Sequence, residues 1–153
     1  MPTNSNFLFL LMALVTGALI PIQAQTNAGF SKAIGNPFVT GLMVFVIGLL
    51  FMAIFMGITR NALPTTTQLA AAPWYAYLGG LIVPMYVISI TILVPRIGVG
   101  TAIGLIVTGQ ILCAVAIDHF GLFNSAIRTI DVRRAIGVAL MVAGVYFVMS
   151  KKS

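Results

Sequence analysis

Long uncharged apolar segments dominate this chain. No Asp, Glu, Lys or Arg occurs in residues 1–31, 33–59, 61–95 or 97–117. A folded water-soluble domain of this size cannot leave so much uncharged apolar chain on its surface, whereas the hydrocarbon core of a bilayer requires it. The segments do not alternate as β-barrel strands do, and helices pair all their backbone groups internally. The pattern therefore predicts an all-α, polytopic integral membrane protein.

Prolines, glycines and polar connectors divide the chain into five segments that each approach the roughly 20 residues of a spanning helix. We expect one transmembrane domain over residues 1–153, with helices at about 7–30, 37–59, 73–94, 99–120 and 132–149. Asn36 can cap the second helix, and Pro37 suits its first position. The third helix is expected to end at Val94, because a residue before proline is disfavoured in the helical region.

Composition supports this class and excludes others. The chain has 153 residues, is 60% apolar and has a mean hydropathy of +1.12, which leaves no room for a soluble domain. Its eight Lys and Arg are scattered at the ends of apolar segments, whereas nucleic-acid binding needs clustered cations. The single Cys113 can form no disulfide framework or metal site within one chain, so we predict no metal or cofactor. No nucleophile–base pair or phosphate loop indicates an enzyme.

The basic residues do not define an orientation. With five spans, four basic residues fall on each side of the membrane: Arg60, Arg128, Arg133 and Arg134 on one, and Lys32, Arg96, Lys151 and Lys152 on the other. The Lys/Arg bias of short loops sets orientation, and here it is zero. One hypothesis is that the chain inserts both ways and pairs antiparallel as a ten-helix inverted repeat. The alternative is a fixed orientation set by N-terminal charge, helix order or a partner protein.

Polar residues in the first helix share one face. Thr16, Gln23 and Asn27 recur at spacings of seven and four, whereas Gln25 points roughly opposite. Because amides are costly to bury in hydrocarbon, the face with Gln23 and Asn27 is expected to line a cavity. Hydrogen bonding between helices is the alternative.

Three residues on other helices complete the candidate substrate-binding set. Tyr86 carries a phenol hydroxyl near the middle of the third helix, and Gln110 lies on a different face of the fourth helix from its small residues. Trp74 lies at the depth of the interfacial aromatic belt, near one mouth of the expected cavity.

Two helices contain a proline that weakens them. Pro21 removes the hydrogen bond to the carbonyl of Gly17, and Pro84 removes the bond to Gly80. Because transporters place binding sites at broken helices near mid-membrane, these pairs are candidate hinges. Static kinks in a structural protein would produce the same pattern.

Further small and titratable residues have less specific interpretations. Small residues at helix–helix spacing suit packing within the chain or between subunits: Gly100, Gly104, Gly137 and Gly144.

Asp118 and His119 form a candidate proton-linked pair, although their expected position near the interface equally fits an anchored helix end. No carboxylate lies at mid-membrane, which argues against a cation exporter that exchanges its substrate for protons there.

Several motifs carry a family resemblance along nearly the entire chain. They are Pro21-x-Gln23-xxx-Asn27, Trp74-xx-Tyr77-x-Gly79-Gly80 with Tyr86, Pro95-Arg96-x-Gly98, Gly109-Gln110, Asp118-His119-Phe120-Gly121 and Arg133-Arg134-xx-Gly137-xxxxxx-Gly144. Together they resemble the short five-helix, YdcZ-like branch of the bacterial drug/metabolite transporter superfamily, with EamA-like character. The resemblance implies an inner-membrane transporter of ten helices, assembled from two five-helix halves. The related small multidrug exporters have a glutamate in their first helix, and this chain has no Glu.

The sequence thus predicts a secondary transporter that moves a small polar or amphipathic solute by alternating access. Its expected partners are the lipid bilayer, the solute and a second, antiparallel copy of the chain, and no nucleic acid. A non-transporting accessory subunit of a membrane complex is the alternative function, in which the polar faces would serve assembly alone.

Overall fold

The computed structural model describes residues 4–149 and contains six α-helices and two short 3-10 helices in that range. The α-helices are α1 (Asn4–Ile34), α2 (Pro37–Thr59), α3 (Thr66–Ala71), α4 (Leu78–Ile97), α5 (Val99–Phe120) and α6 (Val132–Met149). The described part of the chain has five spans long and apolar enough to cross a membrane: Asn6–Ile34, Pro37–Thr59, Trp74–Ile97, Val99–Phe120 and Val132–Met149. The all-helical class with five such helices is confirmed. The ten-helix dimer stays a prediction.

The chain divides after Arg96 into two compact units, which we describe separately. The predicted single domain over residues 1–153 stays a prediction. Lys151 and Lys152, which entered the orientation argument, lie outside the described residues.

The connection between α1 and α2 follows its local sequence. Gly35 adopts a left-handed conformation with φ +71°, which glycine reaches without steric cost. Asn36 is the N-cap of α2, and its side-chain oxygen accepts hydrogen bonds from the backbone N–H groups of Phe38 (2.9 Å) and Val39 (3.2 Å). Pro37 occupies the first helical position, where no N–H donor is needed. The predicted cap is confirmed.

Replacing the cap should weaken this helical hairpin. We expect Asn36→Ala to lower the free energy of unfolding by about 1 kcal/mol, because two N–H groups of α2 lose their acceptor. Asn36→Asp keeps an acceptor and should stay close to wild type. Unfolding of the purified protein in neutral detergent, followed by circular dichroism during titration with a denaturing detergent, measures both. Equal stability of the alanine variant and wild type would contradict the capping role.

Three helix boundaries differ from the sequence prediction. The helix expected at 73–94 starts with a 3-10 turn at Trp74–Tyr77, and α4 itself continues through Pro95 to Ile97. Val94 is buried, and this packing holds it helical despite the proline that follows. The helix ends at Gly98, whose φ of +83° terminates it. Likewise, α1 extends past the expected 7–30 and ends only at Ile34, before Gly35.

The polar connector after α2 contains a short helix that the hydropathy pattern did not predict. Thr65 caps α3 in a reciprocal capping box: its backbone N–H donates to the Gln68 side chain (2.9 Å), and the Gln68 N–H donates to the Thr65 hydroxyl (3.3 Å). The Tyr77 hydroxyl donates to the carbonyl of Leu69 at 2.7 Å. The connector is therefore tied to the start of the next span.

The core of the N-terminal unit lies near the turn between α1 and α2. Its buried residues come from the second half of α1, the start of α2 and the second half of α4: Ala24, Asn27, Ala28, Thr40, Gly41, Val87, Ile90, Thr91 and Val94. A Cβ atom on Gly41 would lie 3.2 Å from Cγ1 of Ile88, so α2 and α4 approach closely there. Most other large apolar side chains of this unit are exposed in the single chain, as expected where lipid or another helix covers them.

The C-terminal unit is a pair of antiparallel helices, α5 and α6, joined by residues 121–131. A Cβ atom on Gly104 of α5 would lie 3.0 Å from Cγ1 of Val145 and 3.9 Å from the side chain of Met149, both on α6. Gly121 ends α5 in a left-handed conformation with φ +62°, and a Cβ atom there would meet Cγ1 of Ile127 at 2.7 Å. The positive φ and the short contact at Gly121 favour glycine there, whereas the contact at Gly104 leaves room for little more than one methyl group.

Candidate functional site

Two predicted site residues in the N-terminal unit hold buried polar atoms without partners. Asn27 is only 7% exposed, and its side-chain nitrogen Nδ2 has no hydrogen-bond acceptor among residues 4–149. The Tyr86 hydroxyl on α4 is also buried and unpaired within that range. Buried polar groups are nearly always hydrogen-bonded, so each of these two atoms requires an explanation beyond the single chain.

The other predicted binding residues have different environments. Gln23, one helical turn before Asn27, is exposed in the single chain, and Trp74 is 75% exposed. Gln110 is exposed on α5 and belongs to the C-terminal unit. The grouping of these residues with Asn27 and Tyr86 around one cavity stays a prediction.

Several threonine hydroxyls in the spans are satisfied by their own helices. Thr16 donates to the carbonyl of Met12 at 2.8 Å, and Thr91 and Thr108 make the same bond to the carbonyl four residues earlier at 2.7 and 2.8 Å. Thr16, which the periodicity groups with Gln23 and Asn27, therefore needs no ligand.

The candidate hinges lie in continuous helices. α1 is helical through Pro21 and α4 through Pro84, so neither span is broken in this conformation. A Cβ atom on Gly17 or Gly80 would meet no atom of a neighbouring element within 4 Å. The lost hydrogen bonds at these prolines remain weak points, and hinge motion there stays a prediction.

The four glycines of the packing prediction differ in their contacts. Gly104 packs closely against α6, as described above. A Cβ atom added to Gly100, Gly137 or Gly144 would meet no neighbouring element of residues 4–149 within 4 Å. Contacts of these three with another chain stay a prediction.

Asp118 and His119 are part of a polar cluster that joins α5 to α6. The Asp118 carboxylate forms an ion pair with the guanidinium group of Arg134, whose Nη1 also donates to the carbonyl of Arg128 at 2.9 Å. Nδ1 of His119 accepts a hydrogen bond from the backbone N–H of Ile130 at 3.2 Å. These bonds anchor the helix ends. A proton-linked role of the pair stays a prediction.

The structure also forms a cleft, lined in part by polar side chains, that sequence reasoning missed. An open cleft of about 490 Å³ is lined by Gln25, Ser31 and Lys32 of α1, Pro37 of α2, and Val94 and Pro95 of α4, among others. A neighbouring cleft of about 370 Å³ shares Ser31, Pro37 and Pro95 with it and reaches Arg96. Helical periodicity correctly separates Gln25 from Asn27, but it contains no information on the approach of α4 to this turn.

Five spanning helices, short connectors and buried unpaired polar groups define a polytopic helical membrane protein. A sequence model of the family described as "Putative inner membrane exporter, YdcZ" matches residues 8–147, and the chain belongs to this family of the drug/metabolite transporter type. It is therefore an inner-membrane protein from a family of exporters and not of enzymes. No curated protein and no solved structure matches it.

Proposed function

We propose that this protein is a secondary transporter that exports a small polar or amphipathic solute across the bacterial inner membrane. Transport would proceed by alternating access in an antiparallel dimer of ten helices. Membership of the exporter family supports the general activity. The balanced distribution of basic residues on the two sides of the membrane supports the antiparallel arrangement.

The observation that carries the proposal is the pair of unpaired polar atoms, Nδ2 of Asn27 and the hydroxyl of Tyr86. A buried donor without a partner costs about 1–3 kcal/mol, so such groups persist where a water, ligand or second chain completes them. Both groups are neutral, and no Asp or Glu occurs before Asp118. Neutral donors favour an uncharged or zwitterionic solute over a bare cation.

Open glycine faces support assembly from two copies. In the described part of the chain, no neighbouring element lies within 4 Å of a Cβ atom added to Gly100, Gly137 or Gly144, which leaves room for the close approach of another helix. Membrane helices associate through such small residues because lipid provides no hydrophobic driving force between them.

The proposal predicts that Tyr86→Phe separates function from stability. The change removes an unpaired hydroxyl, so the free energy of unfolding should stay within about 0.5 kcal/mol of wild type, while affinity for the solute should fall about tenfold. A thermal-shift screen of metabolites on the purified protein identifies a ligand. Flux of that ligand into proteoliposomes, with and without a pH gradient, then compares wild type, Tyr86→Phe and Asn27→Leu.

Tyr146→Phe is the matched control, since Tyr146 is 67% exposed on α6 and should not affect transport. Unchanged flux in both Tyr86→Phe and Asn27→Leu would contradict the proposal. The accessory-subunit alternative predicts a different result: the variants would disrupt oligomerisation in detergent, and the wild-type protein would carry no solute.

A further inference from the structure

Two neighbouring clefts of the N-terminal unit share lining residues and each contain one basic side chain. We call them together the basic cleft and define it by Gln25, Ser31, Lys32, Pro37, Pro95 and Arg96. Ser31, Pro37 and Pro95 line both clefts, so Lys32, which lines the first, and Arg96, which lines the second, belong to adjoining parts of one surface. Volumes of about 490 and 370 Å³ fall in the range of small-molecule sites.

Neither cation of the basic cleft has a counter-ion. Residues 1–96 contain no Asp or Glu, because the two acidic residues of the chain are Asp118 and Asp131. In the described part of the chain the Asp118–Arg134 ion pair is the one salt bridge, and no hydrogen bond involves the side chain of Lys32 or Arg96. Two positive charges therefore line the basic cleft without compensation.

The helix dipoles explain why cations occur at these positions, but the carbonyl groups of the helix ends do not use the side-chain donors. Lys32 lies in the last turn of α1 and Arg96 in the last turn of α4, where the negative end of each dipole favours a cation. However, neither side chain donates to a carbonyl at these helix ends in the structure of residues 4–149. Their donors stay available to a ligand.

Neutral donors also line the basic cleft. The Ser31 hydroxyl is half-buried and makes no hydrogen bond within the described range, in contrast to the threonine hydroxyls that bond to their own helices. The Gln25 amide is also uncommitted there. The N–H groups at the start of α2 do not contribute, because Asn36 already occupies those of Phe38 and Val39.

Depth in the membrane indicates the kind of anion. Lys32 and Arg96 end two spanning helices, so they lie at the level of the lipid headgroups, where phosphate is the abundant anion. A guanidinium fork binds phosphate oxygens in pairs, an ammonium group adds a point charge, and a serine hydroxyl donates a further bond. The capped turn at Gly35 and Asn36 fixes the start of α2 beside the end of α1 before binding.

We propose that the basic cleft binds a phosphate group, through Lys32, Arg96 and Ser31. The phosphate belongs either to the headgroup of an anionic phospholipid or to a soluble organic phosphate. The site is separate from Asn27 and Tyr86, and it does not depend on the proposed transport activity.

Lipid titration of the full-length protein in neutral detergent tests this proposal. Native mass spectrometry measures the binding of dioleoylphosphatidylglycerol and of dioleoylphosphatidylcholine to wild type, Lys32→Gln, Arg96→Gln, the double variant and Ser31→Ala. We expect phosphatidylglycerol to bind preferentially and less tightly at high salt, with affinity lowered about fivefold by each lost cation and about 25-fold by both. Lys32→Arg should retain binding.

The double variant Arg60→Gln/Arg133→Gln is the control, because it removes two basic side chains that make no hydrogen bond in the described range. It should bind phosphatidylglycerol like wild type, and so should Tyr86→Phe, which separates this test from that of transport. Competition with glycerol 3-phosphate distinguishes the sources: displacement of the lipid identifies a soluble phosphate, and no displacement identifies a lipid headgroup. The proposal is overturned if the protein binds both lipids equally and does not bind glycerol 3-phosphate. It is also overturned if the Arg60→Gln/Arg133→Gln control loses as much phosphatidylglycerol binding as the Lys32→Gln/Arg96→Gln variant.

Discussion

Gly104→Leu is expected to lower the free energy of unfolding by about 2–3 kcal/mol, because overpacking a close helix contact forces the helices apart. A Cβ atom at this position already lies 3.0 Å from Cγ1 of Val145, and leucine adds three more carbons. Equilibrium unfolding in mixed detergent micelles, followed by circular dichroism, measures the loss. Gly104→Ala should fall between wild type and Gly104→Leu, since a small shift of the Val145 side chain can accommodate one methyl group.

Gly100→Leu, one turn earlier on α5, is the matched control. Within residues 4–149 no neighbouring element comes within 4 Å of an added Cβ atom there, and leucine has a higher helix propensity than glycine, so the folded chain should be as stable as wild type or slightly more stable. The same variant reports on assembly: if Gly100 contacts a second copy, cross-linking should detect less dimer at unchanged chain stability. Equal destabilisation by the two leucine variants would show that Gly104 makes no special contact.

Arg134→Gln is expected to cost about 2 kcal/mol of unfolding free energy, because Asp118 loses its cation and the carbonyl of Arg128 loses a charged donor. The paired side chains are 29% and 33% exposed, which places the effect between those of surface and buried ion pairs. The same detergent titration measures the change in unfolding free energy.

The neighbouring Arg133 provides the control for this prediction, since its exposed side chain makes no hydrogen bond within residues 4–149. Arg133→Gln removes the same charge and should stay within about 0.5 kcal/mol of wild type. The double variant Asp118→Asn/Arg134→Gln should be more stable than Arg134→Gln alone, because it no longer contains a carboxylate without a cation at position 118. Equal losses in Arg133→Gln and Arg134→Gln would contradict a specific ion pair.

Local features of this fold were predictable from the sequence. The spans follow from uncharged apolar runs of sufficient length, and the cap at Asn36 with Pro37 depends only on residues next to each other in the chain. Helical periodicity also separated Asn27, which is buried, from Gln25, which is not. In each case the physical cause acts within one helix or one turn.

Features that depend on packing between elements were not predictable in this way. Val94 stays helical before Pro95 because it is buried, and burial is a property of the assembled unit. The basic cleft requires the end of α4 to lie beside the turn after α1, although Ser31 and Arg96 are distant in sequence. The motif Asp118-His119 suggested proton transfer, whereas its partner Arg134 could be identified only once residues 121–131 had folded back.

The short connection at Gly35 and Asn36 constrains how the protein enters the membrane during synthesis. Two residues between spans of 29 and 23 residues leave almost no polar chain to cross the bilayer separately. We therefore expect the two spans to insert into the membrane together, as a helical hairpin. Orientation of this half of the chain is then decided once, for both helices together.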